Sequence, residues 1–380
     1  MRTDNGELGK PSAGATRFEV VRAARALFMV LAISATSPVL HAASADEYRA
    51  AVAAAALRGF NGVALVGSGR RVDAIEAAGL ADADGVANVP IRAETRFETG
   101  SVSKWIASIV VMALVDRGAL ALDAPIRAYL PYYRVDTGSQ LTLRHLMSHS
   151  SGVPNQIVAA LRADRAAALV ELPQDEAVRR YASGDLAFAP GSAWDYSHSN
   201  WLIVKAIVER ASGRSYTALV GEILVTPLGL RDSGVFRGDS ALVDGMAKGY
   251  STLLPSPVRR IGALPDHMAM AGGFYTTAGD LFRLMAGVLD GPVLSPAARR
   301  TLMSVAMPEQ HYALGGRTRV ERIAGLDREA AWEDGSNGGF RLVARRVLAD
   351  GHTVILFNNS SWDHQALGDL ADALMEASYR

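Results

Sequence analysis

The chain has no cysteine among its 380 residues. That absence excludes disulfide bonds, thiolate metal sites, a cysteine nucleophile and a lipid-bearing cysteine anchor. An excess of charge of one sign is also missing, because 39 basic side chains balance 39 acidic ones. The sequence therefore gives no electrostatic reason to expect nucleic acid or an anionic membrane surface as a partner. With 49% hydrophobic residues, the chain can still build a sizeable core.

Long apolar runs are scarce, and the one near the start of the chain, at residues 26–35, is too short to span a bilayer. Three basic residues precede this run: Arg17, Arg22 and Arg25. Small residues follow it at 43–45, in the A-x-A pattern of a signal-peptidase site. We expect a secretory signal peptide over residues 1–45, cleaved after Ala45 or Ala42, and an exported, periplasmic or extracellular protein without an integral membrane segment. An uncleaved amphipathic anchor is the alternative.

Motifs that bind cofactors are missing too. The chain contains no H-E-x-x-H, no phosphate-binding loop and no dinucleotide fingerprint. Each of these motifs positions a metal ion, a phosphate or a pyrophosphate through a defined spacing of side chains. We therefore expect neither a cofactor nor a metal.

What the sequence does contain is a change of pattern along its length. Apolar residues 60–66 are typical of a strand, and so are residues 340–348 and 354–357, with a hairpin turn at 350–351. Between the two ends, residues 101–295 have mostly the apolar spacing of helices. The pattern predicts an α+β fold in which the two ends of the chain form one antiparallel sheet and a mostly helical region is inserted in the middle.

The first candidate site is the G-S-V-S-K segment at 100–104, at the start of an apolar helix predicted over residues 101–117. Residues three apart share a helix face, so the side chains of Ser101 and Lys104 are within reach of each other. The helix start offers Ser101 free N–H groups that favour an oxyanion. Apolar neighbours disfavour the charged form of Lys104, which would leave an amine able to take the serine proton. The alternative is a helix-starting serine followed by an ordinary lysine.

Lysine is itself rare in this chain. Only four of its 39 basic residues are lysines, and the other 35 are arginines. Arginine cannot act as a base in a protein, whereas lysine can. A chain that otherwise uses arginine has placed lysine at position 104, which favours the catalytic interpretation.

The second candidate is Tyr196, in the W-D-Y-S-H-S-N segment that leads into a helix predicted over residues 200–211. A tyrosine at a junction between loop and helix can present its hydroxyl to a cleft. A nearby lysine ammonium would lower its pKa, so Tyr196 is a candidate general acid or base. The alternative is a core tyrosine whose hydroxyl is satisfied locally.

The third candidate is the E-D-G-S-N-G-G segment at 333–339. We expect a glycine-rich turn that feeds the strand at 340–348 and lets the backbone approach a substrate closely. The N–H groups of Ser336 and Ser101 would together form an oxyanion hole for the tetrahedral intermediate of acyl transfer. A tight connection between strands, without chemistry, is the alternative.

In this order the three segments resemble those of the β-lactamase-related serine hydrolases: class C β-lactamases, D,D-peptidases, D-aminopeptidases and family VIII esterases. The stretch at 97–104 resembles the family's nucleophile segment, and L-T-L-R-H-L-M-S-H-S-S-G-V-P at 141–154 is similar to its structural T-x-x-x-L-L-x-H-x-S-G-x-P stretch. T-P-L-G-L at 226–230 and A-G-G-F-Y-T-T at 271–277 are similar to later family signatures. The resemblance covers about residues 60–357.

The resemblance implies a β-lactamase-like fold, with helices flanking the sheet, in one domain at 46–380. Its α/β part would occupy about 46–100 and 296–380, and its helical part about 101–295. The implied catalytic residues are Ser101, Lys104 and Tyr196. His149, in the S-H-S-S-G context, is implied to be structural rather than the histidine of a serine protease.

Two positions depart from the family pattern. Tyr-x-Asn is replaced by Tyr-Ser-His at 196–198, so a histidine stands where an amide usually contacts the lysine and the substrate. Lys-Thr-Gly or His-x-Gly is replaced by Glu-Asp-Gly at 333–335, and two acidic side chains there would repel a substrate carboxylate and raise the tyrosine pKa. The candidate substrate-binding residues are therefore His198, Glu333, Asp334 and Gly335.

The leading hypothesis is a serine hydrolase that forms an acyl-enzyme on Ser101 with a small-molecule ester or amide. An esterase is favoured, and a D-aminopeptidase-like amidase is second, because acidic residues would accept an ammonium group. A β-lactamase or D,D-carboxypeptidase ranks lower, because its substrates carry the carboxylate. The alternative from another class is a binding protein with the same fold and decayed chemistry.

Overall fold

The computed structural model describes residues 44–85 and 88–380. The signal peptide expected over residues 1–45 lies outside the described residues, apart from Ser44 and Ala45. Over the described ranges, no helix is both long and apolar enough to cross a membrane.

The described residues contain the following strands: β1 Gly62–Ser68, β2 Arg71–Ala78, β3 Leu80–Asp82, β4 Val89–Pro90, β5 Phe97–Glu98, β6 Gly234–Val235, β7 Tyr250–Thr252, β8 Val258–Arg259, β9 Phe274–Thr276, β10 Arg317–Ile323, β11 Leu326–Asn337, β12 Phe340–Val347 and β13 Thr353–Asn358. They contain the following helices: α1 Ala45–Ala56, α2 Val102–Asp116, α3 Val135–Gly138, α4 Leu143–Met147, α5 Gln156–Ala163, α6 Arg165–Ala168, α7 Gln174–Tyr181, α8 Ser199–Ser212, α9 Tyr216–Val220, α10 Thr226–Leu228, α11 Ala269–Gly272, α12 Ala278–Leu289, α13 Pro296–Met303 and α14 His364–Ala377.

The main sheet is built from both ends of the chain, which confirms the predicted α+β architecture. Its six strands lie in the order β10-β11-β12-β13-β1-β2. Every pairing is antiparallel, and β1 from the amino-terminal end pairs with β13, with Leu65 opposite Ile355. The helical region lies between β5 and β10, as expected, and also carries the short strands β6 to β9.

Helices cover both faces of this sheet. On one face the apolar side chains of β1, β12 and β13 join a core with helices α2, α8 and α12. On the other face they join α1 and α14. Helix α2 is buried from Val102 to Leu114 without interruption, as its apolar sequence on almost every side predicts. The segment that starts with the candidate nucleophile is therefore held in the centre of the molecule.

Helix α1 begins with a complete capping box. The Ser44 side chain accepts a hydrogen bond from the Glu47 N–H, and the Glu47 carboxylate accepts one from the Ser44 N–H. Such a cap contributes about 1 kcal/mol to the stability of a helix. Cleavage of a signal peptide after Ala45 would remove Ser44, whereas cleavage after Ala42 would keep it.

Candidate active site

Ser101 lies at the N-cap of α2, directly after β5 and the turn residue Gly100. Gly100 has φ +52°, which favours glycine. A Cβ at this position would also lie 2.4 Å from the backbone nitrogen of Ser336. The turn and the close approach of β11 both require glycine, and together they bring the backbone of Ser336 beside the start of α2.

Lys104 lies one turn further into α2 and is fully buried. Its Nζ is 3.3 Å from Ser101 Oγ and donates a hydrogen bond to the carbonyl oxygen of Ala271 at 2.6 Å. Burial lowers the pKa of Lys104 to about 7, against the opposing charge of Glu333. At neutral pH much of the amine is therefore unprotonated. A neutral amine that donates to Ala271 keeps its lone pair free to accept the Ser101 proton.

Tyr196 contacts the same serine from the other side. Its hydroxyl donates to Ser101 Oγ at 2.7 Å, and Lys104 Nζ lies 5.0 Å from the centre of its ring. Burial, and then the charge of Glu333, raise the pKa of Tyr196. The net lowering expected from a lysine ammonium is therefore wrong, whereas the increase expected from an acidic residue at 333 agrees with the effect of Glu333. Tyr196 therefore stays a phenol, suited to donate a proton, while Lys104 is the group that changes charge.

His149 supports the ring of Tyr196 and does not contact Ser101 in the described hydrogen bonds. It is fully buried, its ring centre lies 4.3 Å from that of Tyr196, and its Nδ1 accepts a hydrogen bond from the Ser197 N–H at 3.0 Å. Burial keeps its pKa well below the ordinary histidine value, so the ring is neutral. This geometry agrees with the structural role implied by the resemblance.

His198 lines the pocket in front of Ser101. The Oδ1 of Asn155 accepts a hydrogen bond from the backbone N–H of His198 at 3.0 Å. This bond orients the Asn155 amide so that its Nδ2 lies 3.4 Å from His198 Nδ1. Burial lowers the pKa of His198 well below the ordinary value. A neutral ring that accepts at Nδ1 carries its proton on Nε2. His198 thus keeps one N–H donor where the family pattern has an amide.

The register of β11 directs the Ser336 N–H away from β12. A two-residue turn joins Asn337 to its partner Phe340, and Ser336 is the next residue of the ladder. In an antiparallel hairpin of this kind, the pair next to the turn, here Asn337 and Phe340, exchanges two backbone hydrogen bonds. The N–H of the next residue, Ser336, then points away from β12. On the edge of β11 that faces away from β12, the neighbouring strand is β10. The pairing of β10 with β11 ends at Trp332, which lies opposite Arg317, so β10 does not reach Ser336. The Ser336 N–H therefore faces the start of α2, as an oxyanion hole requires.

The segment 333–335 is part of β11 and not of a turn, and this corrects the expected glycine-rich turn, which is confined to residues 338–339. Because side chains alternate along a strand, Glu333 and Asp334 point to opposite faces. Glu333 lies opposite Ala344, on the face that packs against α2, and Asp334 lies opposite Val343, on the face covered by α14. The structure does not bring Asp334 to the pocket beside Ser101.

Glu333 is buried and paired. Its carboxylate accepts from Arg317 Nη1 at 2.8 and 3.0 Å, and the Arg317 guanidinium lies over the rings of Tyr312 and Trp332. Burial raises the pKa of Glu333 to about 7, against the charge of Arg317. Neither Glu333 nor Gly335 lines the pocket beside Ser101. Gly335 instead lets β11 approach the backbone of Thr99, since a Cβ at position 335 would lie 2.0 Å from the Thr99 carbonyl oxygen. The acidic side chains at 333 and 334 therefore do not line the pocket beside Ser101.

We expect Glu333→Gln to move the acidic limb of the pH profile of kcat/KM to lower pH. The Glu333 charge raises the pKa of Lys104, so its removal lowers that pKa and keeps the amine unprotonated in more acidic solution. The wild-type limb is expected near pH 7. Profiles of both proteins from pH 5 to 9 measure the shift, and an unchanged or higher midpoint in the variant would show that Lys104 does not set this limb.

The pocket beside Ser101 has a cavity volume of about 120 Å³ and is open to solvent. Its lining combines apolar side chains with a few polar groups: Val158, Leu161, Leu169, Leu264, Met268, Arg165, His198 and Asn337. Asn155, Arg317 and the pocket lining from α5 and α6 were not predicted from the sequence. Apolar residues at helical spacing in 157–161 signal a helix, but not that it faces Ser101. Across residues 44–85 and 88–380, no group of three or more acidic or histidine side chains is placed to hold a metal ion.

Known proteins are similar to this chain in sequence and in fold. The sequence model of the family described as Beta-lactamase matches residues 46–376. Esterase EstB from Burkholderia gladioli is 32% identical over 349 residues, which cover 80% of this chain and 86% of the esterase. Penicillin-binding protein 4* from Bacillus subtilis (strain 168) is 24% identical over 266 residues, which cover 64% of this chain and 56% of that protein.

Among solved structures, the D-amino acid amidase from Ochrobactrum anthropi SV3 complexed with L-phenylalanine superposes with a TM-score of 0.73 and 19% identity, covering 87% of this chain and 97% of the amidase. A D-stereospecific amidohydrolase from Streptomyces sp. superposes with a TM-score of 0.70 and 24% identity, covering 86% and 98%. At these identities the superpositions establish the fold alone.

Proposed function

This chain belongs to the Beta-lactamase family and is a serine hydrolase, and from that premise we propose that it is an esterase acting on esters with an apolar acyl group. The observation that carries the proposal is the set of contacts at Ser101, with Lys104 at 3.3 Å and Tyr196 at 2.7 Å, beside a pocket whose lining includes apolar side chains from 158–169 and 264–268. The similarity to a protein named as an esterase, over most of both chains, supports the same choice.

In the acylation step, Ser101 Oγ attacks the ester carbonyl carbon and its proton passes to the neutral Lys104 amine. The carbonyl oxygen becomes an oxyanion, which accepts hydrogen bonds from the N–H groups of Ser101 and Ser336. When the bond to the leaving oxygen breaks, Tyr196 protonates the departing alcohol and regains a proton from Lys104. Water then attacks the acyl-enzyme, with the same groups moving the proton in reverse.

The proposed preference of the enzyme against carboxylated substrates does not depend on repulsion by acidic side chains. The acidic residues at 333 and 334 were expected to repel a carboxylate, but Glu333 is paired with Arg317 and Asp334 lies on the other face of the sheet. What remains is the missing cation at position 333 of β11, which provides none to the pocket. The positive side chain in the described lining is Arg165, which comes from α6 instead and donates to the carbonyl oxygen of Ile261 at 3.3 Å. Losing a charged partner for a buried carboxylate typically costs 2–5 kcal/mol. β-Lactams and peptides ending in D-Ala-D-Ala are therefore poor substrates under this proposal.

The experiment compares kcat/KM of the purified protein for p-nitrophenyl butyrate, nitrocefin and D-alanine p-nitroanilide under one set of conditions. We expect the ester to be turned over at least about 100-fold more efficiently than nitrocefin, in line with the cost of a missing charge partner. Nitrocefin turnover equal to that of the ester would overturn the proposal in favour of a β-lactamase. Preference for the anilide would indicate an aminopeptidase-like amidase. No turnover of any of the three would favour a binding protein.

A further inference from the structure

Glu98 is a buried carboxyl group that the acyl-transfer steps above do not use. It lies on β5, three residues before Ser101, and is only 2% exposed. One of its carboxyl oxygens bonds to the hydroxyl of Ser240, and the other accepts from the side-chain amide of Asn337. Isolated carboxyl groups are rarely buried in this way unless hydrogen bonds hold them. Its partner Asn337 lies in a part of the chain far from β5 in sequence.

Asn337 is the last residue of β11 and immediately follows Ser336. Its Nδ2 also donates to the carbonyl oxygen of Gly262 at 2.9 Å, and a Cβ on Gly262 would lie 2.6 Å from the Asn337 side chain. The amide is therefore held from two sides, by Glu98 and by the backbone at Gly262. Because Asn337 cannot move freely, the end of β11 that carries the Ser336 N–H is fixed as well.

The two N–H groups that would hold the oxyanion come from segments with no covalent constraint between them. One belongs to Ser101, three residues after Glu98, and the other to Ser336, one residue before Asn337. We propose that Glu98 is a positioning residue, whose bond to Asn337 sets the separation of the Ser101 and Ser336 N–H groups. The inference rests on the proposed acyl-transfer function, because its effect is on the geometry of that oxyanion hole.

The protonation state of Glu98 determines which substitution mimics it. Burial raises the pKa of Glu98 to about 8, with a further increase from Asp239, while the bonds from Ser240 and Asn337 and the charge of Arg259 oppose it. At neutral pH the group is therefore mostly a neutral acid that donates through one oxygen and accepts through the other. Glutamine offers the same pair of functions: its Nε2 can donate to Ser240 Oγ, and its Oε1 can accept from Asn337.

The test compares Glu98→Gln, Glu98→Ala and Asn337→Ala with the wild-type protein. We expect Glu98→Ala and Asn337→Ala to lower kcat for p-nitrophenyl butyrate by about 10- to 100-fold with KM within about 2-fold, since misplacing an oxyanion donor acts mainly on the transition state. Glu98→Gln should stay within about 3-fold of wild type. The rate at which a fluorophosphonate labels Ser101 should fall in the same variants, because that reaction also places an oxygen in the hole.

Ser240→Ala is the matched control, because it removes the other hydrogen bond of the same carboxyl group but leaves the bond to Asn337 intact. It should lower the melting temperature as Glu98→Ala does, while kcat stays close to wild type. Equal losses of kcat in Ser240→Ala and Glu98→Ala, or unchanged kcat in Asn337→Ala, would reduce Glu98 to a structural role and overturn the inference. Should Glu98→Ala fail to fold, Asn337→Ala against Ser240→Ala gives the same comparison.

The two readouts separate this inference from the proposed esterase function. If the wild-type protein is labelled by the fluorophosphonate but hydrolyses no ester, the esterase proposal fails and the labelling rates of the variants still test Glu98. If the wild-type protein is not labelled at all, there is no working oxyanion hole to position and both proposals are wrong.

Discussion

Ser101→Ala is expected to lower kcat/KM for p-nitrophenyl butyrate by about 10⁴-fold or more, because removal of a nucleophile leaves only binding and the oxyanion hole to act on the ester. Ser101 Oγ is the atom to which both Lys104 Nζ and the Tyr196 hydroxyl are directed. Without Ser101 Oγ, the Lys104 amine and the Tyr196 phenol no longer contact a common atom through which a proton can pass. The initial rate of p-nitrophenol release, measured above the spontaneous rate, checks this prediction.

Ser103→Ala is the control for that variant. Ser103 lies on the same helix and is fully buried. Its hydroxyl accepts a hydrogen bond from the Phe274 N–H at 3.1 Å and also bonds to the hydroxyl of Thr99. Its loss leaves a buried N–H unpaired and should cost about 1–3 kcal/mol of stability, but the folded protein should keep kcat within about 3-fold. A Ser101→Ala variant that retains a tenth of the wild-type rate would mean that the nucleophile lies elsewhere.

Lys104→Arg is expected to lower kcat/KM by about 10³-fold, which is the second largest effect and the sharpest test of the base. The substitution keeps a positive charge at 104 but removes the ability to be neutral, because a guanidinium does not lose its proton in proteins. Wild-type Lys104 is fully buried with its pKa lowered to about 7, so it reaches the neutral state at ordinary pH. Raising the pH to 10 should not rescue the arginine variant.

A second lysine that is buried in the described part of the chain offers a matched control. Lys205, on α8, is 2% exposed and pairs with Glu209 at 3.0 Å and Asp266 at 2.7 Å. A permanently charged arginine suits such a pair, so Lys205→Arg should stay within about 3-fold of wild type. Comparable losses in the two variants would attribute the Lys104 effect to crowding in the core. Activity of Lys104→Arg that recovers at high pH would also contradict its assignment as the base.

The chain ends and the nucleophile helix could be predicted because their patterns are local. Strands predicted at 60–66, 340–348 and 354–357 are observed as β1, β12 and β13 within a few residues, and the predicted helix 101–117 is α2. These segments are buried on both sides, so their apolar runs are continuous and unambiguous. Strand β11 was missed because charged and glycine residues at 327–337 obscure the strand pattern, although β10 pairs with its first part and β12 with its second part.

The partners of the site residues could not be predicted, because they depend on register and on contacts distant in sequence. Whether Glu333 or Asp334 faces α2 depends on the parity of β11, and a shift of one residue would exchange them. The bond of Glu333 to Arg317 requires the pairing of β10 with β11, and that of His198 to Asn155 requires the docking of the helical region. Desolvation of Tyr196, which is the main cause of its raised pKa, likewise arises only from the folded surroundings.

The measurement that tests the central claim most directly is peptide mapping by mass spectrometry after the protein has reacted with a fluorophosphonate at pH 8. The contacts of Ser101 with Lys104 and Tyr196 predict a single adduct, located on Ser101, that forms more slowly as the pH falls below 7. An adduct on another residue, or labelling of Ser101→Ala at the wild-type rate, would contradict the account.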